Sequence, residues 1–338
     1  MQLKFVVEGK YMVITGMIGN NTFVRIPKMI NGFPVMKIGE KAFQGSQVEV
    51  VEISGELLEI GDKAFYGSKL QEITGYSNVI GASAFAGCKS LEVCELCGVH
   101  EIKDRAFVGC SKLTTLVLGK DITSIGADTF KYVPFKNEWG VIGDGIAVAY
   151  NGKSKAPVIP SDVKVLAPRL FYNSTINEIK IEDNIEEIGE ECFSYSSVSK
   201  VSISGKLSKL PSKCFSYCHS LSSIQLSPYI KSIGKECFLK CVCLQHINLP
   251  MYCLEVQDGA FRNDISLNFV HLNMDCRSIG KYAFKGCMDL RKISIPTGVL
   301  SISPDSFEGC YYLEEVVNHS NVDLSKCFPS KVKYRTEL

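Results

Sequence analysis

Residues 279–296 read IGKYAFKGCMDLRKISIP, and the same order of residue types returns along most of the chain. IGDKAFYGSKLQEI begins at Ile60 and IGASAFAGCKSLEV at Ile80. An aliphatic residue stands five positions before a Phe at Ile38/Phe43, Ile60/Phe65, Ile80/Phe85, Ile102/Phe107, Ile125/Phe130, Leu166/Phe171, Ile188/Phe193, Leu210/Phe215, Ile233/Phe238, Val256/Phe261, Ile279/Phe284 and Ile302/Phe307. Successive Phe residues lie 20 to 23 apart, except for a gap of 41 between Phe130 and Phe171. A fixed period this short is the mark of a repeat array.

Five or six residues after the Phe a second pattern starts, apolar at positions 0, +3 and +5: Leu91, Cys94, Leu96; Leu113, Leu116, Leu118; Leu221, Ile224, Leu226; Leu290, Ile293, Ile295. The +3 and +5 members alternate as strand residues do. Each unit of 22 or 23 residues therefore holds one short strand, a turn, the aliphatic residue and a short segment ending at the Phe. One unit cannot bury that much apolar surface alone. Stacking at the spacing of paired strands, about 4.8 Å, turns the units into one continuous core.

These residues resemble the BspA-like leucine-rich repeats, whose units run Ile-Gly, Ala-Phe, Gly-Cys and then a Leu-rich strand ending near Ile-Pro. The resemblance runs from about Ile38 to Val317. It implies an α/β-type repeat: a right-handed leucine-rich-repeat solenoid, curved, with a parallel sheet on its concave face. The expected organisation is an N-terminal β-hairpin cap over 1–37, a first repeat block over 38–130, a hairpin insertion over 131–160, a second block over 161–317 and a C-terminal cap or tail over 318–338. Caps are physically required, because an end turn would otherwise expose core and a strand edge. Within the insertion, Asn151-Gly152 between two apolar runs predicts the hairpin turn.

Composition narrows the function. Across 338 residues, 37 Lys and Arg nearly balance 36 Asp and Glu, so no net field draws the chain to nucleic acid. No run of about 18 apolar residues exists, which predicts no membrane insertion, and Met1 to Gly9 lacks the features of a secretory leader. The chain is thus expected to be cytoplasmic, or to reach the cell surface after a leader has been removed.

The 15 Cys are the first candidates for chemistry. Cys88, Cys110, Cys218, Cys241, Cys287 and Cys310 all stand three residues after a repeat Phe, and Cys192, Cys214 and Cys237 directly precede one. A nucleophile needs a unique neighbourhood, whereas a serial position reads as a small buried side chain. Cys94 and Cys97 have metal spacing but no second pair, and their strand positions predict opposite faces. His246 and His271 fall on adjacent strands without a third ligand. No G-x-S-x-G, Walker loop or H-E-x-x-H occurs, and the remaining place for a hidden catalytic centre is Trp139 with Glu138 and Asp144. The sequence therefore predicts no enzyme, no cofactor and no metal.

Residues +2 and +4 of each strand point outward. Those columns hold Glu52, Glu72 and Glu95 in the first block, and His246, Asn248, Phe269, His271, Asn273 and Lys292 are read as the outward group of the second. An aromatic among amide and imidazole donors suits protein or glycan recognition; the competing reading is an ordinary solvated sheet. The family resemblance implies adhesion, with a matrix protein or host cell-surface glycoprotein as partner. The rival is an intracellular leucine-rich-repeat scaffold, favoured by the many thiols.

Overall fold

The computed structural model describes residues 2–325, 327–328 and 332–336. It divides into two compact units between Asn151 and Gly152. Each is a parallel β-solenoid of the leucine-rich-repeat kind.

In the first unit the turns stack in three columns. The strand column runs through Phe23–Ile26, Val50–Ile60, Glu72–Ile80, Val93–Cys97 and Thr115–Val117 in parallel register, with Val50 beside Phe23 and Glu72, and Val93 beside Glu72 and Thr115. The second column stacks the aliphatic residues Ile14, Ile38, Ile60, Ile80, Ile102 and Ile125. The third stacks Phe43, Phe65, Phe85, Phe107 and Phe130 with ring centroids 5.0 to 5.5 Å apart and nearly parallel planes. The ring spacing follows from the strand spacing, since equivalent atoms in successive turns repeat at about the 4.8 Å that separates hydrogen-bonded strands.

The second unit repeats the plan. Glu178–Ile181, Lys200–Ile203 and Ser223–Gln225 form one parallel ladder, His246–Asn248 and Phe269–His271 a second, and Lys292–Ile295 with Glu315–Asn318 and Lys333–Thr336 a third. Phe171, Phe193, Phe215, Phe238, Phe261, Phe284 and Phe307 continue the ring stack, again at 5.1 to 5.4 Å.

The backbone explains why the residue before the Phe is small. From Phe43 to Phe107 and from Phe171 to Phe284, each repeat Phe N–H donates to the carbonyl of the residue preceding the next Phe: Phe65 to Ala84 at 2.8 Å, Phe193 to Cys214 at 2.9 Å, Phe261 to Ala283 at 2.7 Å. That close approach leaves the Ala or Cys side chain no accessible surface.

Two sequence expectations are corrected. The α/β-type repeat is in fact helix-free among the described residues. The segment ending at Phe is a tight turn with two left-handed residues, as at Lys63 (φ 55°) and Gly67 (φ 64°) around Phe65. Left-handed residues at that spacing forbid a right-handed helix from propagating. The hairpin turn is also misplaced by the sequence reading. Trp139–Ile142 pairs antiparallel with Ile146–Tyr150, so the turn is Gly143-Asp144-Gly145, where both glycines have positive φ. Asn151 instead donates its N–H to the Glu138 carbonyl at 2.7 Å and closes the hairpin's open end.

At the amino end, β1 (Gln2–Glu8) and β2 (Tyr11–Ile18) form an antiparallel hairpin, and β2 then pairs in parallel with Phe33–Ile38.

Candidate recognition face

The cysteine column is built into the repeat. Cys88, Cys110, Cys218, Cys241, Cys287 and Cys310 each donate S–H to the carbonyl of the preceding turn's Phe, at 2.9 to 3.1 Å. Each such carbonyl thus has a partner one turn away. Burial pushes the thiols up, to about 11 for Cys88 and about 12 for Cys218 and Cys310. A thiol held protonated is a poor nucleophile and a poor metal ligand. Cys94 is buried and Cys97 exposed, on opposite faces of one strand. Around the lone Trp, Trp139 packs on Tyr150 at 4.8 Å and the Tyr150 hydroxyl donates to Glu138 at 3.1 Å, which is the packing of the hairpin itself.

On the first unit's strand face, Glu52 is paired with Arg25 at 2.6 Å, while Glu72 and Glu95 are exposed. On the second unit, His246 lies across from Phe269, and Asn248 across from His271. All four are exposed, as is Lys292, and Phe269 keeps 52% of its surface in water. Asn273 differs from the sequence expectation. It is buried, and its Nδ2 donates to the carbonyls of Pro250 at 2.7 Å and Cys253 at 2.9 Å. Position +6 has already left the strand, and the amide braces the previous turn instead of facing outward.

The feature that the sequence did not reveal is a cleft. Phe269–His271 and Lys292–Ile295 belong to consecutive turns yet share no ladder. A cavity of about 480 Å³ opens beside them, lined by Phe269, His271, Met274, Arg291, Lys292, Pro296, Thr297 and His319 among others. Among the described residues no carboxylate belongs to its lining. Arg291 and Lys292 reach across to Glu314 at 3.1 Å and Glu315 at 2.9 Å, and the hydrogen bond from Lys292 holds the Glu315 carboxyl below its ordinary range. Met274, 67% exposed, was legible as a large apolar residue in a loop; the parting of the ladder was not. The floor is therefore apolar, and the rim carries two imidazoles beside two cations that are each paired with a glutamate. Such a site suits an apolar group beside a negative one.

Among solved structures, a leucine-rich repeat protein from Bacteroides ovatus is 21% identical, covering 100% of this chain and 99% of its own, with a TM-score of 0.49. A leucine-rich cell surface protein from Faecalibacterium prausnitzii is also 21% identical, covering 99% and 93%, with a TM-score of 0.43. The pneumococcal vaccine antigen PcpA is 18% identical, covering 99% and 93%, with a TM-score of 0.41. No curated protein matches the chain. The profile of the BspA type leucine-rich repeat region matches residues 17–136, 148–268 and 231–330, in six copies. With nearly the whole chain matched, this protein belongs to the BspA-type leucine-rich repeat family.

Proposed function

We propose that this chain is a non-enzymatic recognition module of the cell surface that binds a protein ligand, a matrix protein or host cell-surface glycoprotein, through the outward strand face of its second unit. The observation that carries the reading is the cleft beside Phe269, His271 and Lys292. A half-exposed aromatic over an apolar floor supplies the anchor contact, and the cationic rim supplies orientation toward an acidic group. A scaffold held by stacked rings and inter-turn hydrogen bonds loses little conformational entropy on binding. His246, Asn248 and Lys292 extend the face, and in the first unit Glu52, Glu72 and Glu95 offer an acidic counterpart.

The test is an array of matrix proteins, host glycoproteins and free glycans probed with the purified chain and with a Phe269→Ala/His271→Asp variant. Loss of a protein signal in the variant, with unchanged melting temperature, supports the reading. A signal that the variant retains, or one confined to glycans, overturns it.

A further inference from the structure

The outer edge of β1 has no partner among the described residues: the sheet path of the first unit starts there. Its apolar side chains are exposed on both faces, Phe5 at 38%, Val6 at 47% and Val7 at 54%. An edge strand of this composition is ordinarily blunted by charged side chains, a proline, a bulge or a covering segment, and β1 carries the charges of Lys4 and Glu8. β1 contains no proline. The hairpin's one irregularity is an extra residue on β2, where Thr15 is skipped between the pairs Lys4–Gly16 and Phe5–Ile14. The outer edge of β1 is thus unbroken.

We propose that this edge pairs with a second copy of the chain, β1 to β1, antiparallel about Val6. The hairpin turn fixes which backbone groups are available. Glu8 and Tyr11 flank a two-residue loop whose first member, Gly9, has φ 61°, the arrangement of a type II′ turn. The flanking pair exchanges both ladder bonds, so Glu8 and Val6 turn their N–H and C=O toward β2, while Val7 and Phe5 turn theirs outward. A second strand docking antiparallel must then pair outward residues with outward residues. Centred on Val6, Phe5 meets the partner's Val7 and exchanges both hydrogen bonds with it.

Charge selects this register over its neighbour. Centred on Val6, Lys4 stands opposite the partner's Glu8, and symmetry repeats the pair. Centred on Phe5, Lys4 would face the partner's Val6 and both lysines would lack an acid. The Val6 register therefore sets apolar against apolar and opposite charge against opposite charge in one isologous contact. A contact seven residues long falls below the roughly 1,000 Å² of a stable dimer, so the association is reversible and concentration-dependent.

Sedimentation velocity of the full chain, from about 1 µM to about 200 µM, tests this. The parent is expected to shift from monomer to dimer. Lys4→Glu should weaken the dimer roughly tenfold, and Lys4→Glu/Glu8→Lys should restore it. Val7→Pro removes an outward N–H without touching the hairpin's own bonds and should abolish the dimer at unchanged melting temperature. A chain that stays monomeric throughout overturns the proposal, as does a dimer indifferent to Val7→Pro or a charge swap that fails to restore association.

Discussion

Asp264 occupies the position three residues after Phe261, where other turns of the same unit carry Cys or Ser. It has no accessible surface. One carboxyl oxygen accepts the Cys241 N–H at 2.7 Å, and the other has no hydrogen-bond partner among the described residues. Burial pushes its pKa well above the carboxylate range, and the Cys241 N–H opposes that shift without reversing it. The groups facing it are the thiols of Cys241 and Cys287, themselves held protonated by burial. The folded chain therefore keeps a proton on Asp264 that the unfolded chain releases above about pH 3.9. Folding takes that proton up, so the stability contributed by the acid is fully present below about pH 3.9 and is lost as the pH rises toward the folded value. The loss runs at about 1.4 kcal/mol per pH unit within that window. Asp264→Asn keeps the acceptor for Cys241, never titrates, and can offer an N–H where other turns offer S–H to the preceding Phe carbonyl. The variant should match the parent near pH 3.5 and exceed it increasingly toward neutrality, by roughly 2–4 °C in melting temperature for each kcal/mol. Thermal and urea unfolding of both chains across pH 3.5–8 reads the difference directly. Parallel pH profiles would refute the reasoning, because they would mean that the buried acid does not retain its proton.

Two further outcomes follow from the stacked core and its thiols. Phe215→Ala should destabilise by about 3–5 kcal/mol, since the ring is fully buried between Phe193 at 5.1 Å and Phe238 at 5.4 Å. Phe269→Ala, at an exposed ring, should change stability by less than about 1 kcal/mol, and equal urea midpoints for the two variants would contradict the assignment of core and face. Native thiol titration should label Cys97 and Cys243 at once and the buried cysteines only on unfolding; rapid labelling of most of the fifteen would refute their burial.

Much of the solenoid could be read from spacing alone, because a ring stack demands one Phe per turn, here every 20 to 23 residues, and Phe tolerates no neighbour of the wrong size. Seriality also separated Cys88 or Cys218 from catalytic cysteines, yet gave no hint that each S–H serves the Phe carbonyl one turn back. Such a bond joins residues 23 to 26 apart and has no local signature. The turn at Gly143-Asp144-Gly145 and the inward amide of Asn273 were missed for a related reason. In both cases a residue with turn chemistry was read by its neighbours in sequence, whereas its partners lie across a hairpin or in the previous turn. The cleft was out of reach altogether, since the strand pattern around Phe269 is the same whether or not its ladder continues.

The thiol column also makes the order of events in the protein's life matter. While the turns are closed, the column's sulfur atoms lie out of reach of oxidants, and the chain can sit in an oxidising milieu as though it had no cysteine there. A chain that enters the same milieu unfolded exposes fifteen reactive sulfurs, each able to bond covalently to any other. The repeat thus ties chemical inertness to prior folding, and any disulfide between column cysteines would mark a molecule that had opened.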